Sequence, residues 1–133
     1  MLQIRDHMSR LTHSLSPQLG LAEALDRLHQ ADSSGLPVLD DQKRLIGFLS
    51  EQDCIPSLLT GSYHCDSRTR VEDLMSRTPL FVSPDDSILD LARQMTGAKP
   101  KIYPVREGDK VCFVVSGGSV ALEQLHQLED VRL

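Results

Sequence analysis

The sequence predicts an α+β fold built from two copies of one βαββα-type unit. Three observations carry this prediction. The chain repeats itself at a shift of 67 residues, each copy places a helical apolar stripe after a Ser-Pro pair, and each copy then shows two short apolar runs flanking a polar turn. Neither copy has enough apolar surface to stand alone, so both are expected in one body.

Laying residues 4–41 over 71–108 gives nine identities in 38 positions. They are Asp6/Asp73, Met8/Met75, Ser9/Ser76, Arg10/Arg77, Ser16/Ser83, Pro17/Pro84, Ala31/Ala98, Pro37/Pro104 and Val38/Val105. A one-residue deletion then aligns Ser50 with Ser116. The repeats accordingly divide as 1–59 and 71–133, with 60–70 as a polar linker.

The elements follow in order. Ser16-Pro17 and Ser83-Pro84 each offer a capping hydroxyl before a proline, which predicts a helix start at both places. Leu21, Ala24, Leu25 and Leu28, and likewise Ile88, Leu91, Ala92 and Met95, recur at i, i+3, i+4 and i+7 and form the buried stripes. Strands around Leu36–Leu39 and Tyr103–Arg106, polar turns at Asp40–Arg44 and Glu107–Lys110, and the pentads 45–49 and 111–115 make two hairpins. A further helix ends each copy, the second on Val120, Leu122, Leu125 and Leu128. Cys112, inside an apolar pentad, reads as core, and Met8 and Met75 read as core filler.

Composition excludes several classes of function. The formal charge is −5, from 14 Lys plus Arg against 19 Asp plus Glu, with no basic run, so neither nucleic acid nor an anionic membrane is an expected partner. The apolar stretches are too short to span a bilayer. The first ten residues hold Arg5, Asp6, His7 and Arg10 with no apolar run behind them, so the expected residence is the cytoplasm. Three cysteines without CxxC spacing and five scattered histidines give no disulfide framework and no metal site, and His64-Cys65-Asp66 reads as a linker turn. No P-loop, HExxH or GxSxG is present, so no catalytic residue and no enzyme activity are expected. Cys54 at a helix start is the one conceivable nucleophile, and no base stands near it in sequence.

The segments Asp6-His7-Met8-Ser9, Ser16-Pro17, Gly35-Leu36-Pro37-Val38-Leu39-Asp40 and 45–53, with their weaker counterparts at 71–75, 83–84, 103–105 and 111–116, carry a specific resemblance. The chain resembles a tandem CBS (cystathionine β-synthase) domain pair, a Bateman module. That resemblance implies two βαββα repeats packed with pseudo-twofold symmetry and ligand clefts between their sheets. It also implies a stand-alone regulatory module, commonly homodimeric, that binds an adenosine-containing ligand such as AMP, ADP, ATP or S-adenosylmethionine and signals to a regulated protein not named by the sequence.

By the same resemblance, Ser50 and Asp53 of Ser50-Glu51-Gln52-Asp53 would hold phosphate and ribose, while Gly35, Leu36 and Pro37 would line the cleft for the base, with Leu36 as an apolar wall. A carboxylate suits ribose hydroxyls, and a helix start favours an anion. The same Ser-x-x-Asp spacing also suits a capping box that touches no ligand. In the second copy Phe113 stands where Gly47 aligns and Ser119 where Asp53 aligns, so the ribose clamp is missing there. Ser116-Gly117-Gly118-Ser119 reads as a plain loop, and Lys99, Lys101, Arg106 and Lys110 read as a solvated basic face. The alternative function is a ligand-free dimerisation or scaffold module.

Overall fold

The structure, a computed structural model, describes residues 3–59, 68–95 and 102–131, with the backbone alone at 127 and 129–131. The chain forms two compact units, Thr12–Leu80 and Met1–Leu11 together with Phe81–Leu133. They are named here the central and the terminal unit, after their places in the sequence. Each is an α+β assembly.

In the central unit, strands β2 (Gly35–Leu39) and β3 (Leu45–Ser50) form an antiparallel hairpin running from Gly35↔Ser50 to Leu39↔Leu45, with an irregularity between Val38 and Leu39. Asp40 closes its turn by accepting the Gln42 and Arg44 amides, both at 2.9 Å. The Arg44 amide above all, helped by the Arg44 side chain and the Gln42 amide, holds the Asp40 carboxyl below the usual carboxylate range. Leu15 adds a one-residue parallel bridge to Val38 on one edge, and Ser76 pairs antiparallel with Phe48 on the other. Helices α1 (Leu21–Gln30) and α2 (Glu51–Leu59) cover this sheet, and the short α3 (Val71–Leu74) leads into Ser76. Their core includes Ala24, Leu28, Leu36, Val38, Leu49, Cys54 and Val71.

The terminal unit repeats the plan. Strands β4 (Ile102–Glu107) and β5 (Lys110–Ser116) form the hairpin, β1 (Ser9–Arg10) pairs with β5, and Val82 bridges Val105 as Leu15 bridges Val38. Helices α4 (Ile88–Gln94) and α5 (Gly117–Val131) lie against it, with a 3-10 turn at Ile4–Asp6. Ile4, Val82, Ile88, Leu91, Tyr103, Val105, Val115 and Val120 form the core, flanked by Met8, Ala92, Met95 and Phe113. The leading segment of each repeat thus completes the hairpin of the other: Ser9 faces Val114, and Ser76, its equivalent 67 residues later, faces Phe48. As sequence repeats the chain divides at the linker; as compact units it divides after Leu11 and after Leu80.

Both stripe helices begin four residues later than the Ser-Pro pairs predict. Leu15 and Val82 are still bridged to a strand, so Ser16-Pro17 and Ser83-Pro84 open turns, with Leu19 N–H on Ser16 O at 3.2 Å and Asp86 N–H on Ser83 O at 3.0 Å. Gly20 is then held extended by an antiparallel bridge to Arg70, and Ser87 by one to Gln3. Helical dihedrals become available only after those bridges. Ser87 is the true cap of α4, its hydroxyl accepting from the Leu89 and Asp90 amides.

Three further expectations are corrected. Cys112 is exposed, because side chains alternate along β5 and Val111 and Val115 take the inward positions on either side of it. Ser116-Gly117-Gly118-Ser119 is no loop, since β5 runs through Ser116 and Gly117 already opens α5. Of the apolar residues that predicted α5, Val120 alone is buried, while Leu122, Leu125 and Leu128 are 54%, 50% and 63% exposed. Pro37 and Pro104 sit inside β2 and β4 rather than at their starts, which edge strands tolerate: their carbonyls accept from Leu15 and Val82, and no partner needs their missing N–H.

Two substitutions test this packing. A Cβ on Gly47 would lie 2.5 Å from Met75 Sδ and 2.9 Å from the Ser76 carbonyl oxygen, inside the ladder that joins Phe48 to Ser76. Gly47→Ala should therefore lower stability by about 2 kcal/mol in urea denaturation. The Tyr103 hydroxyl is buried with no hydrogen-bond partner, within an otherwise apolar core. Tyr103→Phe should raise stability by about 1 kcal/mol in the same assay.

Candidate functional site

The junction of β3 and α2 collects the chemistry of the central unit. Ser50 ends β3 opposite Gly35, and Glu51 opens α2. Two reciprocal bonds lock the turn: the Ser50 amide donates to Asp53 Oδ2 at 2.9 Å, and the Asp53 amide donates to Ser50 Oγ at 3.3 Å. The capping box is thus formed, and such a cap is worth about 1 kcal/mol. It consumes one carboxylate oxygen. Asp53 Oδ1 has no hydrogen-bond partner among the described residues, and the Ser50 hydroxyl acts there only as an acceptor, its proton uncommitted.

Of the five residues predicted to hold a ligand, Ser50, Asp53 and Gly35 meet at this end of the hairpin. Gly35 is there for space: a Cβ on it would lie 2.5 Å from Cε1 of the Phe48 ring. Leu36 is 2% exposed and belongs to the core opposite Leu49, and Pro37 is buried opposite Phe48. These two have backbone rather than side chain to offer a ligand.

Sequence reasoning missed Ser33 and Ser34. Ser33 Oγ donates to Gly35 O at 2.6 Å and accepts from Gly35 N at 3.3 Å, and Ser34 O accepts the Glu51 amide at 2.8 Å. Together they pin the start of β2 to the start of α2. The Ser-Ser-Gly run before the strand was the available signal, because small hydroxyl side chains habitually bond neighbouring backbone. The anion-favouring helix start is largely used up in consequence. The Glu51 and Asp53 amides both have acceptors, leaving the Gln52 amide without one.

The equivalent junction in the terminal unit is differently equipped. Ser116 Oγ accepts from the Ser119 amide at 3.1 Å and donates to Ser119 Oγ at 3.2 Å, a cap with no carboxylate. Arg106 lies over the Phe81 ring at 3.6 Å and Lys110 is exposed, while Lys99 and Lys101 fall outside the described residues, as does His64-Cys65-Asp66. Among the described residues no three His, Cys, Asp or Glu side chains could share a metal ion, and no helix is long and apolar enough to cross a membrane.

Comparison with known proteins gives this geometry its family. The CBS domain profile matches residues 4–59 and again 71–115. The chain belongs to the CBS domain family. Its two matched segments make it a CBS-domain pair. The CBS domain-containing protein YhcV of Bacillus subtilis is 25% identical over 125 residues, covering 94% of this chain and 87% of YhcV. The uncharacterized protein MJ1225 of Methanocaldococcus jannaschii is 26% identical over 120 residues, 90% of this chain, which spans 42% of that protein's length. Among solved structures, CBSX2 in complex with AMP superposes with a TM-score of 0.79 at 27% identity, covering 95% of this chain and 98% of that one.

Cys54, the one conceivable nucleophile, is fully buried, with Sγ 3.4 Å from the Ser50 carbonyl oxygen. Burial first, and then the Asp53 and Glu51 carboxylates, push its pKa from 9.0 up to about 11. A thiol raised in this way is protonated and inert at neutral pH. Its native pKa lies above that of the unfolded thiol, so the stability it contributes is complete below about pH 9 and is lost as pH rises toward 11. Comparing urea unfolding of the parent and Cys54→Ala between pH 8 and 11 should show a steeper alkaline loss in the parent. At pH 8, Ellman's reagent should label exposed Cys112 in the native protein and Cys54 only after unfolding.

Proposed function

We propose that this CBS pair is a regulatory module whose central repeat binds an adenosine-containing ligand at the junction of Ser50 and Asp53 and passes the binding event to a partner protein. The observation that carries the reading is the half-satisfied Asp53 carboxylate: Oδ2 caps the helix while Oδ1 has no partner among the described residues. A ribose offers the two hydroxyl donors such an acceptor needs, and charge-assisted bonds of this kind are strong. The AMP complex of CBSX2 supports the ligand class. Gly35, Leu36 and Pro37 would contribute their backbone edge to the base. Ser119, in place of an acid, argues for at most one good ribose site per chain.

Asp53→Asn separates clamp from cap, because an amide oxygen can still accept the Ser50 N–H while the charge is lost. The parent should be stabilised by roughly 2–3 kcal/mol by an adenosine ligand supplied at about 100 times its Kd. In Asp53→Asn that gain should vanish while unliganded stability changes by less than about 0.5 kcal/mol. Calorimetry should return one equivalent or fewer per chain. A full ligand-induced shift in the variant would remove Asp53 from the site.

A scaffold reading rests on a different observation. Leu122, Leu125 and Leu128 on α5, and Ile55, Leu58 and Leu59 on α2, are solvent-exposed in the single chain. Exposed apolar helix surface on this scale is what a homodimer would cover. Light scattering at tens of micromolar should give twice 14.8 kDa, and Leu125→Glu should return the mass to 14.8 kDa. A parent that stays monomeric would remove this reading.

A further inference from the structure

Resting on the nucleoside reading above, we infer that the site discriminates by charge. It selects an adenine nucleoside whose 5′ substituent is neutral or cationic, excludes nucleotides, and has Glu51 as the residue that rejects the phosphate.

Three independent features converge on this. The first is the backbone. A phosphate at the start of α2 would be held by its free amides, yet Glu51 N–H already donates to Ser34 O and Asp53 N–H to Ser50 Oγ. The helix start is a spent anion receptor.

The second feature is the charge at that place. Glu51 is exposed on the first residue of α2, and Asp53 stands two residues on. Neither has a cationic partner among the described residues. A 5′-phosphate carries close to two negative charges at neutral pH and would be placed among these carboxylates.

The third is where the unit keeps its cations. From Thr12 to Leu80 the sequence holds six Lys plus Arg against ten Asp plus Glu. Arg27 donates to Ser14 O, Arg77 to Glu72 O, and Arg44 pairs with Asp40. Arg44 and Lys43 lie beyond Leu45, at the far end of β3 from Ser50, a separation of about 17 Å along the strand. That exceeds the screening length of roughly 8 Å at physiological salt, so they cannot offset the carboxylates at Ser50. A neutral 5′ group meets no such repulsion, and a cationic one is attracted.

The test is a set of dissociation constants by calorimetry for adenosine, 5′-methylthioadenosine, S-adenosylmethionine, AMP and ATP, on the full chain at low and at physiological salt. 5′-Methylthioadenosine and S-adenosylmethionine should bind at least about tenfold more tightly than AMP at low salt, with ATP weaker still and the gap narrowing as salt is added. Glu51→Gln, an exposed change, should tighten AMP several-fold and leave 5′-methylthioadenosine within about twofold of the parent. AMP binding as tightly as 5′-methylthioadenosine would overturn the charge selection and leave the nucleoside site standing. A gap unchanged in Glu51→Gln would overturn the role given to Glu51. Absence of binding by all five compounds would remove the nucleoside site and this inference with it.

Discussion

The paired hydrogen bonds between Phe48 and Ser76, at 3.0 and 2.9 Å, and the matching ladder between β1 and β5, are the constraint on which the rest of the structure rests. A lone hairpin is marginal in water and needs a further strand or a packed helix to become stable. Each hairpin here takes its third strand from the leading segment of the other repeat. Everything downstream follows from that exchange. Met75 is carried against Gly47, Thr69 and Arg70 reach Leu21 and Gly20 to set the start of α1, and Gln3 and Ile4 do the same for α4 at Ser87 and Asp86.

The same exchange explains why two nearly matching sequences carry different chemistry. Where the central unit has Gly47 and lets the Met75 thioether approach, the terminal unit has Phe113, with the Arg10 guanidinium 5.9 Å from its ring centroid. Where the central unit ends its hairpin in a serine and a carboxylate, the terminal unit ends it in two serines that satisfy each other. The scaffold is duplicated and the polar equipment is not. A repeat can keep its hydrophobic periodicity under selection for folding while single polar positions drift, because the fold is held by burial and the site by a few atoms.

Much of this was legible from residues alone, and the misses have a common cause. The apolar stripes on α1 and α4, both hairpins and the break between repeats followed from period and turn chemistry, which are local. The starts of α1 and α4 did not, because Gly20 and Ser87 are held extended by residues 50 and 84 positions away in the chain. Cys112 was misplaced because a pentad of apolar letters does not reveal which members face inward until a partner strand fixes the register. At the candidate site, the Ser50–Asp53 spacing was readable but fitted a cap and a clamp equally. Knowing that one carboxylate oxygen is used and the other open required coordinates, as did seeing Ser34 consume the Glu51 amide.

The interleaving also dictates an order of events during synthesis. Every residue of the central unit has been made once Leu80 emerges, so that unit can close on the ribosome. Residues 3–11 have then been outside longest of all and yet have nothing to pair with until β5 appears more than 90 residues later. The first segment translated is among the last to find its place. Loop closure over such a distance is slow relative to local pairing, so a nascent chain presents Ile4 and Met8 to its surroundings throughout. An N-terminal fusion would hold that waiting segment back, whereas an extension at the C-terminus would leave the sequence of closures untouched.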